Sequence, residues 1–143
     1  AAAVAVPPLR FVDVLVPVSA VNDPTLRALD YALSLRARSI RAIHIDLGSE
    51  QAGAPVEQDW AAADLPIPLE VISSPYRDLG APLLEEVRKI TADPAAMCAV
   101  VMPEAVLSRR RHRLLHNRRA LFIKRLLIFE ERTILVDVPY QLD

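Results

Sequence analysis

The sequence predicts an α/β fold: a five-stranded parallel sheet, doubly wound, with strand order 3-2-1-4-5. Two observations carry this. Short runs rich in Val and Ile alternate with longer segments whose apolar residues recur at helical spacing, in the order βαβαβαβαβ. Twelve prolines and several Asn, Asp and Ser residues separate these runs, against three glycines. Strands that alternate with helices pair in parallel, through right-handed crossovers that cover both faces of the sheet.

Val12 to Val18 is a Val-rich run with Pro17 near its end, a buried strand. Asn22-Asp23-Pro24 starts a helix, a capping side chain followed by Pro in the first turn. Leu26, Leu29 and Leu33 mark its apolar face, with Arg36 and Arg38 at its C-terminal end. Ile40 to Leu47 is the second strand, Gly48 to Pro55 a loop, and Val56 to Ala63 a short helix with Trp60 as a core or interface anchor. Pro66 to Ser73 is the third strand, and Ser74-Pro75-Tyr76-Arg77 a turn. Pro82 to Thr91 is a helix that buries Leu83, Leu84, Val87 and Ile90. Ala96 to Met102 is the fourth strand, cut off by Pro103-Glu104. A long helix from His112 to Glu131 and a last strand from Thr133 to Val138, ending at Pro139-Tyr140, complete the order.

A length of 143 residues suits one domain, and 52% apolar residues suffice for its core. Residues 1–10, with Pro7-Pro8, read as a linker, and residues 11–143 as the domain. The net charge of −1 and an aromatic content of 5% speak against a nucleic-acid binder. Cys98 is the single cysteine; set in an apolar run, it reads as a buried, inert thiol. No stretch reaches the roughly 18 apolar residues that span a bilayer.

The main lead to function follows the fourth strand. Arg109, Arg110, Arg111 and Arg113 crowd the start of the long helix, where the helix dipole disfavours cations and favours an anion. Ligands of doubly wound sheets bind beyond the strand C-terminal ends, at the switch point. Here that point lies between strands 1 and 4, where Ser19 to Asp23 meets Pro103 to Arg111. Phosphate binding by the arginines competes with a solvated basic loop facing an acidic membrane surface or partner. Ser19 and Ala20 end strand 1, where Ser19 either donates to a ligand or forms a turn. His44 reads as a satisfied, partly buried histidine, with a ligand contact as the alternative. Tyr76 and Arg77 either stack on a base and contact phosphate or pack as a surface turn. His116 and Asn117 either hydrogen-bond a ligand or form a polar helix face. His112 and His116 share a helix face, but no Cys, Asp or Glu nearby completes a metal site. No nucleophile motif accompanies His116, so no catalytic residue is assigned.

Val14-Leu15-Val16-Pro17-Val18-Ser19, the Ser74-Pro75-Tyr76-Arg77 turn with Pro82-Leu83-Leu84, Val101-Met102-Pro103-Glu104, His112-Arg113-Leu114-Leu115-His116-Asn117 with Ala120-Leu121, and Val138-Pro139-Tyr140 occur in this order. The sequence thereby resembles the cytosolic C-terminal domain of bacterial amino acid–polyamine–organocation (APC) superfamily permeases, which include proton-coupled potassium importers. The resemblance runs from about Phe11 to Leu142. It implies a non-enzymatic regulatory domain with a universal-stress-protein-like fold, on the cytoplasmic side of the cell membrane. Its implied partners are the transporter's membrane domain and a second copy, paired through the last strand. Its implied ligand is cyclic di-AMP, with ATP as the alternative. The sequence departs from the pattern in two places. It lacks the Gly-x-x-Gly and Gly-Ser signature of ATP-binding universal stress proteins, and Arg118-Arg119 stand where relatives tend to carry uncharged polar residues. A purely structural dimerisation module and a stand-alone ATP-binding stress protein are the rival readings.

Overall fold

A computed structural model of the chain describes residues 6, 8–48, 54–74, 78–106 and 117–142. Five strands, β1 (Phe11–Pro17), β2 (Ser39–Asp46), β3 (Leu69–Ser73), β4 (Ala96–Val106) and β5 (Thr133–Gln141), form one sheet. Its order is β3-β2-β1-β4-β5, every pair is parallel, and the predicted topology holds. Four helices are described: α1 (Asp23–Ser34), α2 (Ala54–Ala62), α3 (Gly80–Thr91) and α4 (Asn117–Leu127).

Strand side chains alternate between the faces and build two cores. Val14, Val16, Ala42, Ala99 and Val101 meet α1 and α2 on one face. Leu15, Ile43, Cys98, Val100 and Met102 meet α3 and α4 on the other. Trp60 is a core residue, and its indole N–H donates to the Ile67 carbonyl at 2.8 Å. The buried stripe of α1 is Thr25, Ala28, Leu29 and Ala32, rather than the predicted Leu26, Leu29 and Leu33. Two alanines let the helix lie close to the sheet, and Leu26 (40% exposed) and Leu33 (45%) fall on its flanks. On α3, Leu83 and Val87 are fully buried, while Leu84 and Ile90 are partly buried against the same core.

Several boundaries differ from the sequence reading. Pairing of β3 with β2 starts at Leu69, because Pro66 and Pro68 have no N–H to give a ladder. The described helix α4 ends at Leu127 rather than at Glu131, followed by a turn into β5. The portion of the predicted helix from 112 to 116 lies outside the described residues, as does most of the predicted 48–55 loop.

Two strands also run through prolines that were expected to end them. The Cys98 N–H donates to the Arg132 carbonyl, so even-numbered residues of β4 point their backbone groups at β5. Pro103 therefore turns its N–H-less side toward β1, which has already parted from β4, and β4 continues to Val106. In β5 the same alternation turns odd-numbered residues outward. The missing donor of Pro139 then falls on the open sheet edge, and the strand reaches Gln141.

The N-terminal end of the sheet is held by charge. Asp13 is buried in β1 and accepts from Arg38 Nε at 3.0 Å and from the Ser39 hydroxyl at 2.7 Å. The Arg38 guanidinium outweighs the effect of burial and keeps the Asp13 carboxyl below its ordinary pKa. Arg132 donates to the carbonyls of Thr91, Asp93 and Ala96, each at 2.8 Å. One guanidinium thus caps α3 and ties the start of β4 to that of β5. Replacing Arg132 by Ala is expected to lower stability by about 2 kcal/mol, the scale of hydrogen bonds from a charged donor. Arg132→Lys should recover little, because an ammonium has no planar fork. Urea denaturation of the three proteins measures this.

Candidate functional site at the sheet switch point

β1 and β4 are neighbours up to Leu15 and Val100 and then separate. The Phe11 N–H donates to the Ala95 carbonyl, so odd-numbered residues of β1 face β4, Pro17 among them. Pro17 and Pro103 therefore face each other across the gap, and neither has an N–H to continue the ladder. The gap opens into a cleft of about 110 Å³ lined by Pro17, Ser19, Asn22, Thr25, Pro103 and Ala105.

The β1–α1 turn is internally satisfied. Asn22 caps α1 by accepting from the Thr25 N–H at 3.0 Å, and the Thr25 hydroxyl donates to the Ala20 carbonyl at 2.7 Å. Asp23 adds an acidic side chain in the first helical turn. The positive end of α1 is thus already answered by this chain's own groups, so charge for an external anion has to come from elsewhere.

Of the sequence-derived candidates, Ser19 and Pro103 line this cleft together. Ser19 is exposed, and Ala20 beside it is half-buried. His44 is buried on the α1 side of β2, where its Nδ1–H donates to the Val18 carbonyl at 2.9 Å. It thereby secures the end of β1 from below. Tyr76, Arg77, Arg109, Arg110, Arg111 and His116 lie outside the described residues. Asn117 is the first described residue of α4, and its side chain is outside the description. Among the described residues, no group of three or more His, Cys, Asp or Glu is placed to hold a metal ion.

Two larger hollows lie elsewhere. One, of about 370 Å³, runs beside α1 with Asp23, Asp30, Arg27 and Tyr140 in its walls; Arg27 stacks over the Tyr140 ring. The other, of about 420 Å³, lies between α4 and β5 with Lys124 and Asp137 in its walls. Carboxylates in both walls oppose a bound anion. The switch-point cleft is the one of the three whose described walls carry none.

The sequence reading missed one polar group near this end of the sheet. Glu104 is a strand residue, 9% exposed, on the face that packs under α4. Its carboxyl lies within hydrogen-bonding reach of Asp137 on β5. A buried Glu beside Pro103 was visible in the sequence only as the end of a strand.

Residues 10–140 match the model of the KimA potassium transporter C-terminal domain. The chain belongs to that family. It is 28% identical over 130 residues to the potassium transporter KimA of Bacillus subtilis (strain 168). That match takes in 89% of this chain and 21% of the relative, so the chain spans about a fifth of the transporter's length. No helix among the described residues is long and apolar enough to cross a membrane.

Cys98 is fully buried in the α3/α4 core, and burial pushes its thiol up to about 12. Only the thiolate attacks, so the thiol is inert in the folded chain. An aromatic disulfide reagent at pH 8 is expected to release no signal from native protein and one equivalent after denaturation. Rapid native labelling would contradict this placement.

Proposed function

We propose that this chain is a regulatory, non-enzymatic domain of a potassium transporter that binds an anionic nucleotide at the sheet switch point. Cyclic di-AMP is the ligand favoured, ahead of ATP. In this reading the fold is universal-stress-protein-like, the transporter is of the APC type, and the domain lies on the cytoplasmic side of the cell membrane beside the transporter's membrane domain. The observation that carries the proposal is the carboxylate-free cleft between Pro17 and Pro103, followed three residues after β4 by Arg109-Arg110-Arg111. The described walls enclose about 110 Å³, well below the roughly 300–1,000 Å³ of ligand pockets. They would hold one ring of a nucleotide, with the arginines supplying charge for its phosphates. A ligand that prefers one arrangement of domain and transporter shifts transport by its differential affinity. ATP ranks second because the sequence has no glycine-rich phosphate loop and Asn22 and Asp23 occupy the start of α1.

Calorimetry with cyclic di-AMP, ATP and AMP tests this directly. Arg110→Ala and His116→Ala should each weaken binding of the dinucleotide by roughly tenfold to a hundredfold, from about 1.5–3 kcal/mol per charge-assisted contact. Absence of binding at millimolar nucleotide, or binding unchanged in both variants, would sink the nucleotide reading.

A second reading, association of two copies through β5, has its own observation. β5 is a sheet edge. Outward-facing Thr133, Leu135 and Asp137 are uninterrupted by proline, while Asp137 and Pro139 guard the far end. Light scattering at micromolar concentration should report a dimer, and a monomer persisting to high concentration would remove this reading.

A further inference from the structure

We propose that the outer face of α4, with the turn that follows it, rests on a lipid surface that carries anionic headgroups.

α4 has two apolar stripes. Ile123 and Leu127 are buried in the core it shares with α3. On the opposite side Leu121 and Phe122 are exposed, and two turns on they are followed by Ile128 (64% exposed) and Phe129 (88%). Phe129 is the most exposed large apolar side chain among the described residues. Arg125 stands between the two pairs, within three or four residues of each member, and is itself exposed. It forms no ion pair among the described residues. Ile128 and Phe129 stand at the far end of α4 from residue 117, where the described chain resumes.

The turn that presents them is held. The Ile128 N–H donates to the Lys124 carbonyl at 3.0 Å and the Glu130 N–H to the Leu127 carbonyl at 2.9 Å. The Glu130 carboxylate accepts from Arg88 of α3 at 2.8 and 3.3 Å. Arg132 then forks onto the carbonyls of Thr91, Asp93 and Ala96. The backbone is thus anchored just past Phe129, and the ring still points to solvent.

Charge selects the occupant. Cations near a helix C-terminus answer the helix dipole, but that leaves the apolar groups beside them unexplained. No Asp or Glu lies on the stripe; Glu130 is taken by Arg88, and Glu131 lies beside Arg132. Large apolar residues interleaved with cations suit the headgroup region of a bilayer, where the apolar groups reach the acyl boundary and the cations meet phosphate. A second copy of this chain is a poorer match, because a two-fold contact would set Arg125 against its own counterpart.

Position supports the same occupant. The chain enters the sheet at β1, where the Arg10 and Phe11 N–H groups donate to the Ala95 carbonyl. Arg132, in the turn after α4, binds the carbonyls on either side of Ala95. The turn bearing Phe129 therefore lies at the end of the sheet through which the chain enters. The inference rests on the reading above only in placing a membrane before that entry; nucleotide binding plays no part in it.

The test is sedimentation of the 143-residue chain, without nucleotide, with vesicles of phosphatidylcholine alone or with about one-third phosphatidylglycerol. Binding is expected at millimolar lipid on the anionic vesicles, weakening as salt is raised. Arg125→Gln should weaken it roughly fivefold and Phe129→Ser about tenfold. Both side chains are exposed, so the urea midpoints should stay unchanged. Leu33→Ser, exposed on α1, should bind like the wild type. Phe129→Trp should be quenched by brominated lipid, against the buried Trp60 as background. No binding to anionic vesicles, or binding unchanged in both Arg125→Gln and Phe129→Ser, would overturn the proposal. So would a wild-type dimer that Phe129→Ser converts to a monomer, which would assign the stripe to a second copy. Vesicle binding by a chain that binds no nucleotide in calorimetry would remove the nucleotide reading and leave this one in place.

Discussion

The absence of two N–H groups shapes the end of the sheet at which the candidate site lies. A parallel ladder between β1 and β4 would continue past Leu15 and Val100 if Pro17 and Pro103 could donate across it. They face one another and cannot, so the central pair of strands parts there while each strand stays paired on its other side. Pro17 pairs with Ile43 and Pro103 with Val138. The cleft is thus a gap in an otherwise continuous sheet, walled on one side by the β1–α1 turn and the start of α1. A doubly wound sheet offers a crevice at this place by topology alone, because the crossovers leave on opposite faces. The paired prolines deepen what the topology begins.

The opposite end of the sheet is built on another plan. Asp13, Arg38 and Ser39 join β1 to β2, and Arg132 joins α3, β4 and β5 through three carbonyls. Mid-sheet, level with Leu15, Arg41 bridges β2 to Glu70 of β3 and Glu86 of α3. Of the ion pairs, those to the buried carboxylates of Asp13 and Glu86 hold geometry more than the exposed one to Glu70 does. One end of the sheet is clamped by charge and the other is left apart. That division leaves the candidate site at the open end of a fixed frame.

Much of the fold was legible because its signals are local. Asn22-Asp23-Pro24 specified the start of α1, and the alternation in Ile43, Ile45 and Leu47 specified one face of β2. Cys98 is buried, as its apolar run implied, and of the two places expected for Trp60, core or interface, it takes the core. The errors concern facts that only a partner strand can supply. Whether a proline ends a strand depends on which side its missing donor faces, and that parity was hidden at Pro103 and Pro139. The stripe on α1 was misread because three leucines drew attention from the alanines that let the helix approach. Of the site, Ser19 and Pro103 were brought together by topology. The Glu104–Asp137 pair needed the β4–β5 register, which no periodicity reveals.

The strand order carries a consequence for a chain made from its N-terminus. β1 lies at the centre of the finished sheet, yet it gains its second neighbour only when Ala96 to Val106 has been synthesised. Until then β1, β2 and β3 form at most a three-stranded sheet whose open side is β1, a Val-rich strand with unpaired backbone groups. Such a nascent edge invites other chains. Asp13 sits in that strand, and its partners Arg38 and Ser39 are synthesised with β2. The clamp at this end of β1 can therefore close before β4 exists, so the register of β1 on β2 is fixed while the other side of β1 is still waiting for its neighbour.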